Sequence, residues 1–307
     1  MVLATATSDC IFLRAAQPWQ DLVALARQAD TGFWHCVYVF DHFMPSGYLR
    51  EDETGMLEAT GALAALAGST SRVRLAPLVL SMTYRHPAVL ANWAATVDHI
   101  SDGRLTLGLG AGWQVNEHEH YGLELGRPGE RVDRFAEGLT VIRGLLNQPR
   151  TTFDGKYYRL DDAPCDPKPV QSPLPLLIGG TGPRMLRLVA RYADEWNCWS
   201  APGSFRETAD KLDVACAEVG RDPSTIVRST QALIIVTDSS AGERQAAAIA
   251  EKSPLPVIYG PPARIVEAAA RWREEGVDEV IIPDRAMSVD QRGDAYDALA
   301  DALGELS

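Results

Sequence analysis

Short apolar runs rich in β-branched residues alternate with longer segments of helical spacing along most of the chain, and this alternation restricts the fold more than any other feature. The strand candidates are Cys36–Phe40 (CVYVF), Val73–Leu80 (VRLAPLVL), Leu105–Leu109 (LTLGL), Leu176–Ile178, Glu195–Trp199, Leu233–Val236 (LIIV) and Glu279–Ile282, with a weaker one inside Val2–Leu13. Such runs read as parallel strands buried on both faces. Between them, Leu22, Leu25 and Ala29 form a stripe that stops at Gly32, a C-terminal cap. Pro87 occupies a first helical position before Leu90, Ala94 and Val97. Arg131–Leu146 carries Phe135, Leu139, Ile142 and Leu146 on one face and stops before Pro149, and Pro262–Glu275 stops at Gly276. The repeat predicts an α/β fold, a closed (β/α)8 TIM barrel spanning 1–307 as one domain. An open doubly wound sheet is the alternative that periodicity does not separate from it.

Two segments interrupt the pattern. Thr151–Tyr158 (TTFDGKYY) reads as a hairpin turning at Asp154-Gly155 in a type I′ turn, followed by Pro164, Pro167, Pro169, Pro173 and Pro175. The two together make an insertion over about 150–175, after the fourth βα unit. A second proline-rich loop, Ser253–Pro262, follows the seventh unit. Long barrel loops serve as lids or substrate walls, or as plain spacers.

The formal net charge of −12 excludes nucleic acid and anionic membranes as partners. The five cysteines, at 10, 36, 165, 198 and 216, form no C-x-x-C pair, which fits a reducing cytoplasm. No secretory leader and no apolar run of about 20 residues is seen, so a cytoplasmic location is expected.

Three places carry chemistry. Asp41-His42-Phe43 follows the strand CVYVF, where barrel enzymes place reactive groups. A histidine there exchanges protons near neutral pH, and Asp41 either orients it or binds a polar cofactor atom; the plainer reading is a capping Asp and a packed His. Gly108, Gly110 and Gly112 close the strand LTLGL and would let a flat molecule approach the backbone, with Trp113 and Asn116 next in the loop; the plainer reading is a crowded strand end packed against a neighbour. This is not the dinucleotide fingerprint. Gly179-Gly180-Thr181-Gly182-Pro183 lies between a strand and a helix, suits a phosphate, and has Arg184 and Arg187 on the first helical turn to add charge. The plainer reading is a tight turn with solvated arginines. His118-Glu119-His120 lacks H-E-x-x-H spacing, so no metal is expected. No G-x-S-x-G is present and Cys198 has no evident base, which speaks against nucleophilic hydrolysis.

Asp41–Phe43 (DHF), Thr83–Trp113, Gly129–Leu139, Pro167–Gln171, Leu176–Asn197 and Gly276–Pro283 together resemble the bacterial-luciferase-like superfamily, in particular its branch dependent on the deazaflavin coenzyme F420. The resemblance covers nearly the whole chain. It implies a non-proline cis peptide at Leu78–Val79 beneath the cofactor ring, and Ser81 in contact with the cofactor. Ala111, Gly112 and Asn116 match positions beside the ring and its ribityl chain. Gly179, Gly180, Thr181 and Gly182 match the phosphate turn, and His42 matches a proton donor. Trp113 stands where sugar-phosphate dehydrogenase relatives have a glutamate acid/base, so that reaction is not implied; Trp113 becomes a substrate-pocket residue.

The reading that follows is an F420-dependent oxidoreductase moving hydride to or from a small organic substrate, with a homodimer as the expected assembly. The alternatives are an FMN-dependent luciferase-like monooxygenase and a non-catalytic barrel that binds a phosphorylated ligand.

Overall fold

The computed structural model describes residues 8–13, 18–44, 56–283 and 297–303. In chain order these hold β1 (Ser8–Leu13), α1 (Trp19–Thr31), β2 (Cys36–Val39), α2 (Ala59–Ala67), β3 (Arg74–Pro77), β4 (Leu80–Ser81), α3 (Pro87–Ile100) and β5 (Leu107–Gly110). There follow α4 (Val115–Tyr121), α5 (Pro128–Asn147), β6 (Thr151–Asp154), β7 (Arg159–Ala163), β8 (Leu176–Gly179), α6 (Pro183–Tyr192) and β9 (Glu195–Trp199). The remainder are α7 (Phe205–Glu218), β10 (Val227–Gln231), β11 (Leu233–Val236), α8 (Ser240–Lys252), β12 (Val257–Gly260), α9 (Pro262–Glu274) and β13 (Glu279–Pro283).

The chain folds as a (β/α)8 barrel. The main sheet runs β3-β2-β1-β13-β10-β9-β8-β5-β4, parallel throughout. β3 and β4 are two halves of one stave, parted at Leu78–Val79, so the order holds eight staves. Its two ends meet: Leu75 of β3 bridges Leu105, its N donating to Arg104 O at 3.0 Å and its O accepting from Thr106 N at 2.9 Å. Staves one to eight are β1, β2, β3/β4, β5, β8, β9, β10 and β13, each beside its neighbours in sequence.

Helices form the outer layer because their apolar stripes match the outer face of the staves. In α5, Phe135, Leu139, Ile142 and Leu146 recur at helical spacing and are buried. Arg127 N donates to Glu130 Oε2 at 3.1 Å, which satisfies an amide at that helix's start. Trp34, Trp196, Trp272, Phe135 and Phe205 are among the largest fully buried side chains; each contributes on the order of 1.5–3 kcal/mol by leaving water.

Three expectations are corrected. The seventh stave is Val227–Gln231, whose polar sequence VRSTQ hid it; Leu233–Val236 instead pairs with β12 in a separate two-stranded sheet. The polar residues are tolerated because Asn197, Ser229, Gln231, Ser200 and Thr230 bond to one another. That second sheet also places a strand inside the proline-rich Ser253–Pro262 stretch. The hairpin is present, but Asp154 pairs with Arg159, so the turn is the four residues 155–158 and not a two-residue turn at Asp154-Gly155. Glu137 on α5 holds that wider turn, accepting from Lys156 N, Tyr157 N and Tyr158 N at 2.8–3.2 Å. Gly32 is the C-cap of α1, as expected, and is extended there. The part of the first-strand candidate at 2–7 lies outside the described residues.

Candidate functional site

Stave two delivers Asp41 and His42 just past its C-terminal end. Asp41 is buried, and Arg85 from the turn before α3 grips its carboxylate with both terminal nitrogens, at 2.7 and 2.8 Å. Ser81 N donates to the same carboxylate at 2.9 Å. Arg85 also reaches Glu58, the residue that caps α2. Burial works against the guanidinium's charge, but the two carboxylates outweigh it and its pKa is raised. Both oxygens of Asp41 are thus committed to joining the ends of staves two and three, which makes it a positioning residue in this structure.

His42 is aimed by a residue that sequence reasoning missed. Its Nδ1 lies 3.0 Å from Glu117 Oε2, and its ring meets Trp113 edge-on at 5.4 Å. Glu117, on α4, is fully buried, and it also accepts from Phe43 N, from Met44 N at 3.1 Å and from the Tyr84 hydroxyl. Burial alone would raise its pKa; the His42, Tyr84 and Phe43 bonds overcome this and lower it. Tyr84 is pushed up, by burial first and by Glu117 second, so it stays protonated and donates. With an ionised acceptor at Nδ1, the His42 ring is fixed with its proton on Nδ1.

Stave three breaks at the expected place: the Leu78–Val79 peptide is cis. Leu78 N donates to Val39 O at 2.8 Å, so the break is seated on stave two. The Val79 side chain turns toward stave four, where a Cβ on Gly110 would stand 2.6 Å from Val79 Cγ2 and a Cβ on Gly108 would overlap the Pro77 carbonyl oxygen. This corrects the reading of those glycines as a landing for a flat ligand; the room they leave is filled by stave three. Gly112 is different. Its φ is +86°, and a Cβ there would meet Thr83 Oγ1 at 2.6 Å and Ser81 Oγ at 2.7 Å. Ala111 and Asn116 are half-buried beside it, and Trp113 is 52% exposed.

Ser81 heads a chain of short hydrogen bonds. Ser81 Oγ lies 2.7 Å from Thr83 Oγ1, which lies 2.7 Å from His118 Nε2, and His118 Nδ1 is 2.6 Å from the Gln114 carbonyl oxygen.

Gly179 ends stave five, and Gly182 is the N-cap of α6 with no side chain to cap it. The first helical bond is Leu186 N to Gly182 O at 2.9 Å, so the Arg184 and Met185 amides lie ahead of it at the helix's positive end. Nothing stands within 4 Å of a Cβ at Gly182, so the turn opens outward. Trp196 Nε1 donates to Gly180 O at 2.8 Å and its ring packs on Phe205, which holds the turn to α7. Arg184 does not add charge here: it pairs with Asp133 and bonds Gly129 O.

The structure therefore brings Asp41, His42, Leu78, Val79, Ser81, Ala111, Gly112, Trp113 and Asn116 to the adjoining ends of staves two, three and four. Gly179, Gly180, Thr181 and Gly182 stand at the end of stave five, next to stave four. Thr83, Tyr84, Arg85, Gln114, Glu117 and His118 complete the cluster and were not singled out for it. The available signal was an acid and a histidine side by side, Glu117-His118, on a short helix directly after the glycine run. Among the described residues no group of three or more His, Cys, Asp or Glu is placed to hold a metal, and no helix is long and apolar enough to cross a membrane.

The luciferase-like monooxygenase family model matches residues 1–304. An F420-dependent glucose-6-phosphate dehydrogenase of Beutenbergia cavernae is 37% identical over 208 residues, 67% of this chain and 60% of that protein. A pyrimidine monooxygenase of Rhizobium rhizogenes is 32% identical over 177 residues, 56% of this chain and 48% of that protein. The chain thus spans about half to three fifths of those relatives' own length. Among solved structures, an F420-dependent secondary alcohol dehydrogenase in complex with an F420-acetone adduct superposes with a TM-score of 0.84 at 21% identity, covering 97% of this chain and 99% of that one. With the family model spanning nearly the whole sequence and the barrel carrying its site at the stave ends, this chain belongs to the luciferase-like monooxygenase family.

Proposed function

We propose that the protein is an F420-dependent oxidoreductase that transfers hydride to or from a small organic substrate. The observation that carries this is the His42–Glu117 pair at the end of stave two, an aimed proton carrier next to the stave expected beneath the cofactor ring. The residues present fit a phosphate-bearing cofactor. The uncapped α6 start at Gly182 offers amides for the phosphate, and Ser81, Ala111, Gly112 and Asn116 line the way from it to His42. When bound, the deazaflavin supplies the hydride chemistry at its C5.

This chain's own residues do the rest. Glu117 accepts from Nδ1 and so fixes which nitrogen of His42 faces outward; the exchangeable proton moves at Nε2. Tyr84 and the Phe43 and Met44 amides hold Glu117 in turn. Asp41 and Arg85 keep staves two and three in register. Trp113 forms a hydrophobic wall beside His42, suited to an apolar part of the substrate.

The named pyrimidine monooxygenase relative favours a second reading, FMN-dependent oxygenation in the same pocket. Titration of the pure protein with F420 and with FMN decides between them; tight FMN binding with no F420 binding overturns the first reading. His42→Ala should lower turnover about 10²- to 10⁴-fold with cofactor affinity nearly unchanged. Unchanged turnover removes the acid role, and absence of any redox activity with intact phosphate-ligand binding returns the protein to a binding barrel.

A further inference from the structure

Hydrogen-bond sense can be followed along the Gln114–His118–Thr83–Ser81 chain without seeing a hydrogen. The Gln114 carbonyl only accepts, so the His118 Nδ1 at 2.6 Å carries a proton and donates. In the neutral imidazole, which has one N–H, Nε2 is then bare and accepts from the Thr83 hydroxyl at 2.7 Å. The only proton on Thr83 is then spent, and its oxygen accepts from Ser81 at 2.7 Å. The only proton on Ser81 is spent in turn. Toward a ligand, Ser81 presents lone pairs alone.

We propose that His118 is a specificity-determining residue that sets the sense of the Ser81 hydroxyl. Neutral His118 makes Ser81 an acceptor that selects an N–H or O–H on the ligand's edge. A second proton, on Nε2, reverses both hydroxyls and makes Ser81 a donor that selects an anionic or lone-pair edge. No heavy atom has to move, since each link already has the short O···O or N···O spacing. A planar heterocycle whose edge exists in N–H and deprotonated forms is the ligand class this reads, and binding of the deprotonated form draws one proton from solvent to His118. This rests on the proposed cofactor reading for what lies over Ser81, but the state of the chain itself does not.

The surroundings isolate this histidine. It is buried, with 2% of its surface exposed. The Tyr84 ring packs against it at 5.0 Å, and the Tyr84 hydroxyl points to Glu117. Glu117, the adjacent acid on α4, is saturated by His42, Tyr84, Phe43 and Met44. On the stave-three side, Asp41 faces Ser81 N and is neutralised by Arg85.

The test uses the full-length protein in two parts. First, nitrogen NMR of the His118 ring in ligand-free protein near neutral pH should show a protonated Nδ1 and a bare Nε2; the opposite tautomer overturns the proposal whatever the cofactor is. Second, calorimetric titration in buffers of different ionisation enthalpy measures protons taken up on binding oxidised and reduced F420, or FMN. Wild type should take up about one proton more with the anionic form, and should prefer the neutral form by about tenfold at high pH. Thr83→Val, which keeps the shape and breaks the chain, should lose both effects, and Thr83→Ser should restore them. Proton uptake unchanged in Thr83→Val overturns the relay. If neither cofactor binds, the cofactor reading fails, and the NMR result alone decides the sense of the chain.

Discussion

At the C-terminal end of the staves, Glu117 is wholly buried and ionised, because four donors converge on it. At the N-terminal end, Glu195 and Glu279 begin staves six and eight, and both are pushed toward the protonated form. Burial is the leading cause in each. For Glu279 the Glu195 carboxylate adds to it, and Arg74 and Tyr38 do not offset the sum, leaving it at about 8. Arg74 stands 3.6 Å from Glu195 and serves two acids. One barrel thus holds two kinds of buried acid. Where donors outnumber acceptors, charge is kept and used to aim neighbours; where acids outnumber cations, a proton is kept instead.

Charge removal should separate the two ends. Asp41→Asn breaks a paired, buried charge and leaves Arg85 short of a partner; the unfolding free energy in urea should fall by about 3–5 kcal/mol. A loss under about 1 kcal/mol would show that the upper ion pair is not needed for the fold. Gly110→Ala forces a Cβ against Val79 at 2.6 Å and should cost about 1–3 kcal/mol by the same measurement. It tests how tightly Val79 packs on stave four. The smallest effect belongs to the lower end. Glu279→Gln replaces a group that is protonated in both folded and unfolded chains below about pH 4, so stability there should change by less than about 1 kcal/mol. The sign over pH follows from the raised pKa: the wild-type contribution is complete below the unfolded value of 4.5 and is lost as pH rises through about 8. Wild type should therefore weaken relative to Glu279→Gln between about pH 5 and 8, by at most about 1.4 kcal/mol per pH unit for one proton. Parallel stability curves would mean that Glu279 is ionised and that both ends treat acids alike.

The barrel was legible because most of its staves contain a short apolar run, and the helices between them carry ordinary stop signals. Stave seven was not, since VRSTQ satisfies its polar groups with partners from stave six that lie some 30 residues away. The same limit governed the site. Asp41, His42 and the Gly179–Gly182 turn were visible as polar or glycine-rich stretches placed directly after strands. Glu117 and His118 sit on a short helix with no periodic stripe, and their partners are 33 to 75 positions distant. Glu119 and His120, which follow them on the same helix, are exposed, so the motif drew attention toward metal binding and away from the two buried members. Glycines 108 and 110 were misread because their neighbour is a stave, which no local pattern announces.

Glu117 and His118 are consecutive residues of one seven-residue helix, α4, yet they serve different staves. One aims His42 on stave two, and the other fixes the hydroxyls of stave three. The two tasks therefore share a hinge-free support and are not free to vary separately. A change that tilts α4 would displace His42 and the Thr83 and Ser81 hydroxyls together, so substitutions at the two stave ends should be strongly non-additive whenever they act through this helix.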